Sequence, residues 1–561
     1  MQAAKSTNPI GTDAPELYGW SLLAAANLVE YTPYLNYKLA SDAGLTGLRD
    51  HVQIEEHPTM VPIDLKEIHH NTNLDEPLLS LDSTNKSESP FLSFWDYHDA
   101  YTTFKTTPTK VAESLLVKLE ESKSLNYMRF LCKDILQQAE KSTLRYKSGT
   151  PLSQLDGVFV SVKEEVDIQG LETKAGTSFL NDGNPAPHDA TLVKKLRKAG
   201  AIVVGSTVMN ELGWDTFTVN PNTGIPKNPY KKGLHSCGGS SGGSGGCVSS
   251  GLFPFSIGAD GGGSVRIPSA FTGLYGLKTT WSRVSSCGGV ALDPSVGVYG
   301  PLAATADDMT IAYSVIAGPD PNSSYTLLQP PVNLNGYNNT DLSDLTIAVV
   351  PEWNRLVKDH AILERLNQMQ VFLKKQGARI VEIDIPDLDI AHTAHTVTIC
   401  SEMSNFASKH LQNRTSFIPY TRLMYSISGA LDPRDYVRAQ QIRTRMMNHL
   451  SGYFHEQKID SILTPTTAIL SPEIPEKALS YGMANAKLTI ASMTYAVLAN
   501  FTGIPAVTVP AGYHNDLPIG LQFMASWWNE ALLCRIAKTV EKVSGFERKR
   551  PEQHWFAENI L

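Results

Sequence analysis

Apolar positions along this chain switch between two periods, and the switching outlines an α/β protein. The run Val158-Phe-Val-Ser-Val162 is short, rich in β-branched side chains and preceded by the turn residues Leu155-Asp-Gly. It reads as a strand that ends at Lys163. Thr191 to Ala199 then predicts a helix closed by Gly200, followed by a strand at Ala201-Ile-Val-Val204. The pattern returns with a strand expected over 343–350, a helix over 359–377 and a late core strand from Ile504 to Pro510. Strands alternating with crossover helices predict an α/β core.

Upstream, Thr107-Pro108 supplies an N-cap and a proline at the first helical position, and Val111, Leu115 and Leu119 space one helix face. A second helix is expected from about Phe130 to Lys147, ended by Gly149. Residues 1–105 are irregular and read as an N-terminal extension, with 106–561 as the main domain. Within the extension, Pro15 to Tyr31 predicts a helix. Leu17, Trp20, Ala24 and Leu28 recur at i, i+3, i+7 and i+11 as an apolar stripe. The stripe fits either a helix docked on the protein's own core or an interfacial helix with Trp20 at headgroup level. The stretch 70–92, rich in Asn, Ser, Asp and Pro, reads as a surface loop. No internal repeat is evident.

Composition narrows the classes. Of 561 residues, 42% are hydrophobic and 19% charged, which marks a globular chain. The net charge is −8, and no basic stretch interleaves with aromatics, so nucleic acid is not an expected partner. Cys132, Cys237, Cys247, Cys287, Cys400 and Cys534 form no CxxC pair and no zinc-spaced Cys/His cluster, so no metal or other cofactor is expected. The opening MQAAKSTNPIGTDAPEL lacks a basic-then-apolar signal peptide. The sequons at Asn322 and Asn413 therefore carry little weight. No apolar run reaches the roughly 18 residues that span a bilayer. The expectation is an intracellular protein, cytoplasmic or peripherally attached to an internal membrane.

Residues 238–264 concentrate glycine and serine, and three readings compete. A flexible linker does not lead straight into core, yet the apolar segment Leu252 to Ile257 follows at once. A phosphate cradle needs a GK[ST] that is absent. A hydrolase nucleophile loop fits best. Gly239-Ser-Ser241-Gly-Gly243 matches GxSxG, which would make Ser241 the nucleophile. A second loop, Gly261-Gly-Gly-Ser264, can turn several N–H groups toward one point, as an oxyanion hole requires.

The second loop carries a more specific resemblance. Gly238 to Ser244, Gly258-Ala-Asp260 and Gly262-Gly-Ser264-Val-Arg266-Ile-Pro268 resemble the signature of the amidase signature family. The two serines stand 24 positions apart (264 − 240), as that family's do. Val160-Ser-Val-Lys163-Glu matches its strand-terminal lysine. Leu277-Lys-Thr, Gly300-Pro-Leu, Leu463-Thr-Pro-Thr466, Asn500-Phe-Thr-Gly-Ile-Pro505 and Leu517-Pro-Ile-Gly-Leu-Gln522 extend the match, which covers roughly 108–545. Ala259 and Gly261 depart from the commoner residues there.

The resemblance implies a central twisted mixed β-sheet covered by helices on both faces, with the N-terminal helical extension added. It implies Ser264 as nucleophile, Ser240 as a bridging serine after a cis peptide bond, and Lys163 as general base. Backbone N–H groups of Gly261, Gly262, Gly263 and Ser264 would form the oxyanion hole. A serine must lose its proton as it attacks, and a lysine accepts one only when neutral, which burial favours. Ser240 would relay the proton to Lys163 and return it to the departing amine. Asp260 and Arg266 read as a structural ion pair, His235 as a loop or pocket residue rather than a base, and Glu164, Glu165 and Asp167 as solvated loop charge.

Within the family the text most resembles the plant-type fatty acid amide hydrolases: Leu155-Asp-Gly-Val-Phe-Val, Asp260 to Ser269, Gly276-Leu-Lys-Thr-Thr280 and the long N-terminal extension. That implies a lipid amide substrate such as an N-acylethanolamine, peripheral membrane contact through the N-terminal region, and a homodimer as one assembly. A soluble amidase for small or aryl amides is the alternative. A transfer-RNA amidotransferase subunit would lack this extension, and a dead scaffold would be expected to have lost one of Lys163, Ser240 and Ser264.

Overall fold

A computed structural model describes residues 14–50, 54–71, 73, 78–86 and 88–555. The stretch examined above for a signal peptide lies, through residue 13, outside the described residues. In chain order the strands are β1 (Leu17–Tyr18), β2 (Met128–Leu131), β3 (Phe159–Lys163), β4 (Ile202–Thr207), β5 (Phe255–Asp260), β6 (Tyr275–Lys278) and β7 (Val298–Ala303). They continue as β8 (Thr346–Val349), β9 (Arg379–Glu382), β10 (Ser461–Pro465), β11 (Met483–Ala484), β12 (Ala506–His514) and β13 (Leu517–Ala525). Eleven of them form one sheet, ordered β2-β4-β3-β5-β7-β6-β12-β13-β10-β8-β9, while β1 pairs with β11. The sheet is mixed. β3 runs parallel to β4 and β5, and β8 parallel to β9 and β10, while β5/β7 and β12/β13 are antiparallel. Helices cover the sheet, and the central strands are buried along nearly their whole length. That is why they read as continuous apolar runs rather than alternating ones. The expected α/β class and mixed sheet are what the structure shows.

Most expected elements hold. Thr107 caps the helix Pro108–Glu121 through its side chain. The strand and helix expected over 343–350 and 359–377 appear as Thr346–Val349 and His360–Lys375. Two expectations need correction. The helix expected from Phe130 begins only at Ile135, because Met128–Leu131 is an edge strand paired antiparallel with β4. A run this short has no decisive period, and a partner more than 70 residues away decides it. The N-terminal helix spans Trp20–Glu30, and Leu22, Ala26 and Val29 are its buried residues. The stripe read from the sequence faces outward instead: Trp20 is 71% exposed and Leu28 60%. Core docking uses the opposite face.

That helix and the next, Pro33–Asp42, pack on the helix Pro419–Ser428, where Arg422 bonds Glu30 and Asn27. The rest of the extension is stitched to the main domain. Trp95 Nε1 donates to Asp307 at 3.0 Å, and Trp528 Nε1 to the Glu67 carbonyl at 2.9 Å. Among the described residues no helix is long and apolar enough to cross a membrane.

Candidate active site

Four adjacent pieces of chain build the site: the end of β3, the loop and helix after Gly238, the end of β5, and the loop 261–265. β3 and β5 are parallel neighbours, so their C-terminal ends place Lys163 and Asp260 at the same edge of the sheet. Between them the segment Gly242–Ser249 is helical despite four glycines in eight residues. Glycine disfavours helix, yet it is required here for close packing. A Cβ at Gly243 would lie 2.5 Å from the Tyr127 carbonyl oxygen, and one at Gly246 2.2 Å from the Tyr127 ring.

Lys163 is 2% exposed, and its Nζ donates to Ser240 Oγ at 2.9 Å. The Gly239–Ser240 peptide bond is cis. Thr218 Oγ1 donates to the Gly238 carbonyl at 2.9 Å and accepts from Gly242 N at 3.2 Å, which pins this loop on both sides of Ser240. From Ser236 through Trp281 every residue is buried except Ser264. Ser264 makes no hydrogen bond to Ser240, and it is the one residue of that long segment that is not buried. Ser241 is fully buried and bonds the backbone of Ala259 in β5, with its hydroxyl donating to the carbonyl at 3.3 Å. That is the setting of a side chain that ties the loop to β5.

Asp260 organises the second loop. Its carboxylate accepts from Gly263 N at 2.7 Å and Val265 N at 3.1 Å, and pairs with Arg266 Nε at 3.0 Å. Burial alone would push this carboxyl up, but Arg266 and Lys278 hold it well below the usual carboxylate range. Arg266 is itself completed by Gln522 Oε1 at 2.9 Å, and Gln522 donates to Thr464 at 2.9 Å. Asn500 Nδ2 donates to the Asp260 carbonyl at 2.7 Å. The late motif residues thus converge on one buried ion pair that shapes the loop. Its charged partners demand such complete bonding, since an unpaired buried charge is costly. Lys278 lies in the same buried network, and burial together with Arg266 pushes it down to about 7.

Three side chains at the site were not legible in the sequence. Glu165, read as solvated loop charge, is 5% exposed and its Oε2 lies 3.0 Å from Lys163 Nζ, so the lysine sits beside a carboxylate as well as apolar residues. Asp293 lies hard against the loop 261–265: a Cβ at Gly261 would fall 1.6 Å from its Oδ2. Burial, then Glu165 and Glu402, pushes the Asp293 carboxyl well above its ordinary value. His395, from the helix Leu388–Ser408, is fully buried and bonds the Gly261 carbonyl. No spacing rule links such distant positions. The only available signal was the adjacency of Glu165 to Lys163. His235, expected as a loop or pocket residue, stands in an isolated antiparallel backbone bridge with Glu473.

Against known proteins, a family model described as Amidase matches residues 110–534. The chain belongs to the amidase signature family. It is an amide-hydrolysing enzyme. It is 35% identical to the fatty acid amide hydrolase of Oryza sativa subsp. indica, over 98% of this chain and 96% of that protein. With the fatty acid amide hydrolase of Arabidopsis thaliana the identity is 33%, over 96% and 94%. Among solved structures, a protein described in connection with the evolutionary origins of an s-triazine catabolic enzyme superposes with TM-score 0.75 at 28% identity, covering 82% of this chain and 99% of that one.

Proposed function

We propose that this amidase hydrolyses long-chain fatty acid amides, N-acylethanolamines among them, through Ser264, Ser240 and Lys163. The observation that carries the reading is the buried 2.9 Å Lys163–Ser240 bond, together with Ser264 as the one residue of the segment 236–281 that is not buried. Ser264 Oγ attacks the amide carbonyl while its proton passes to Ser240 and on to Lys163. The proton returns to the amine as it leaves, and water completes the cycle on the acyl-enzyme. The Gly263 N–H is already committed to Asp260, so the developing oxyanion is received by the N–H groups of Gly261, Gly262 and Ser264. None of these three meets an acceptor among the described residues.

The lipid substrate is supported by the relatives' names, which cover nearly the whole chain including the extension, and by the outward face of the N-terminal helices. Trp20, Leu28, Tyr31, Tyr34 and Tyr37 are all exposed there. Aromatic side chains with polar edges suit a membrane–water interface, so this face is the proposed peripheral contact. Turnover of N-acylethanolamines from two to eighteen acyl carbons tests the substrate class. kcat/KM rising at least about tenfold with chain length is expected, since each buried CH2 contributes about 0.8 kcal/mol. A flat series would assign the enzyme to small or aryl amides instead.

A further inference from the structure

His395 is fully buried, and among the described residues its imidazole makes one hydrogen bond, from Nε2 to the carbonyl oxygen of Gly261 at 2.8 Å. Because a carbonyl only accepts, Nε2 carries the proton, and Nδ1 is the bare acceptor. Nδ1 is buried with no partner. A ring that leaves a buried acceptor unsatisfied is held in place by something else. Here it stands edge-on to Phe501 and against the loop: a Cβ at Gly262 would lie 3.3 Å from His395 Cε1. Burial, opposed by the Gly261 bond, pushes the imidazole down to about 3, so it is a neutral donor throughout the working pH range of a hydrolase and not a base.

The 261–262 peptide is trans, since the one cis bond is Gly239–Ser240. In a trans peptide the C=O and the following N–H point in opposite directions. Anchoring the Gly261 carbonyl on His395 therefore aims the Gly262 N–H away from the histidine. That N–H meets no acceptor among the described residues. The two sides of the loop are thus set separately: Asp260 consumes the Gly263 N–H, and His395 orients the Gly262 N–H.

We propose that His395 is a positioning residue of the oxyanion hole, which fixes the 261–262 peptide plane so that the Gly262 N–H faces the substrate oxygen. The inference rests on the reading of Ser264 as nucleophile. Without the histidine a glycine-rich loop can rotate this peptide, and the hole loses one aimed donor when charge develops.

The test compares His395→Leu, which fills the space without a donor, with His395→Gln, whose amide N–H can reach the same carbonyl. Three quantities are read on the full-length enzyme: kcat and KM on a soluble amide, the inhibition constant of a trifluoromethyl ketone that forms a tetrahedral oxyanion adduct, and Tm. His395→Leu is expected to lower kcat about 10- to 100-fold with KM within about threefold, somewhat less than deletion of an oxyanion donor itself. Ketone affinity falls by a similar factor, and His395→Gln restores most of both. Wild-type kcat in His395→Leu, or equal losses in folded Leu and Gln variants, overturns the proposal. So does a loss confined to KM. If His395→Leu does not fold, the comparison of His395→Gln with His395→Asn, whose shorter amide falls short of Gly261, decides: equal kcat in the two overturns the role. Full activity in Ser264→Ala would instead sink the nucleophile reading, so the two failures are distinguishable.

Discussion

The segment 236–281 and the N-terminal helices 20–42 use glycine, serine and apolar residues to opposite ends. In the first, every side chain but one is withdrawn from water, and the backbone is held by buried ion pairs and close glycine contacts. In the second, large aromatic side chains stand in solvent on helices whose far side is docked. Where burial is complete, the exposed exception is the proposed reactive group. Where exposure of apolar groups is general, no single residue is indispensable, and the proposed contact surface would act by its area.

The largest effects should come from the buried region. Ser264→Ala or Lys163→Ala should lower kcat by about 10⁴-fold or more, the scale of nucleophile and base removal in serine hydrolases. Steady-state turnover at matched Tm checks this, and a variant within tenfold of wild type would break the contrast. Next, Arg266→Leu leaves the buried Asp260 carboxylate without its direct ion-pair partner. Stability should fall by about 3–5 kcal/mol, read by denaturant titration. A loss under about 1 kcal/mol would show that the loop does not depend on that pair.

The exposed region should respond more gently. Replacing Trp20 and Leu28 together by serine should reduce binding to anionic phospholipid vesicles by at least about tenfold, because each apolar side chain contributes about 1.5–3 kcal/mol on burial. Tm should stay within about 2 °C, since both side chains already face water. Unchanged flotation would remove the membrane face from the account.

The smallest effect is a pH slope. Burial pushes Glu211 up to about 8, so the native state keeps a proton that the unfolded chain releases near its ordinary value of 4.5. The unfolded state binds fewer protons between those limits, and stability contributed by this group falls as pH rises from about 5 to 8. Glu211→Gln should flatten that part of the profile, measured by urea midpoints at each pH. A slope identical to wild type would show that Glu211 ionises freely in the native state.

How much of this could be read from sequence follows the same contrast. Ser240, Ser264, Asp260 and Arg266 lie within 27 positions, so the resemblance of one continuous stretch to the family signature carried the candidate site, and the same resemblance singled out Lys163 at the end of an apolar strand. The strands of the core were legible because central buried strands are continuous apolar runs. β2 was lost within an expected helix because its register depends on β4. The Trp20 stripe was seen, but periodicity states only that a face exists and not whether core or solvent receives it. Glu165 was misjudged because neighbouring charges looked like a solvated loop, whereas the turn after β3 folds its carboxylate back onto Lys163. His395 lies 134 residues from the carbonyl it bonds, and nothing local distinguishes it from a buried histidine of a core helix.

The central claim is that Ser264, and not Ser241, is the nucleophile. Labelling the purified enzyme with a fluorophosphonate and mapping the modified peptide by mass spectrometry tests it most directly. The account predicts the adduct on Ser264, lost in Ser264→Ala and retained in Ser241→Ala. An adduct that persists in Ser264→Ala and disappears in Ser241→Ala would contradict it.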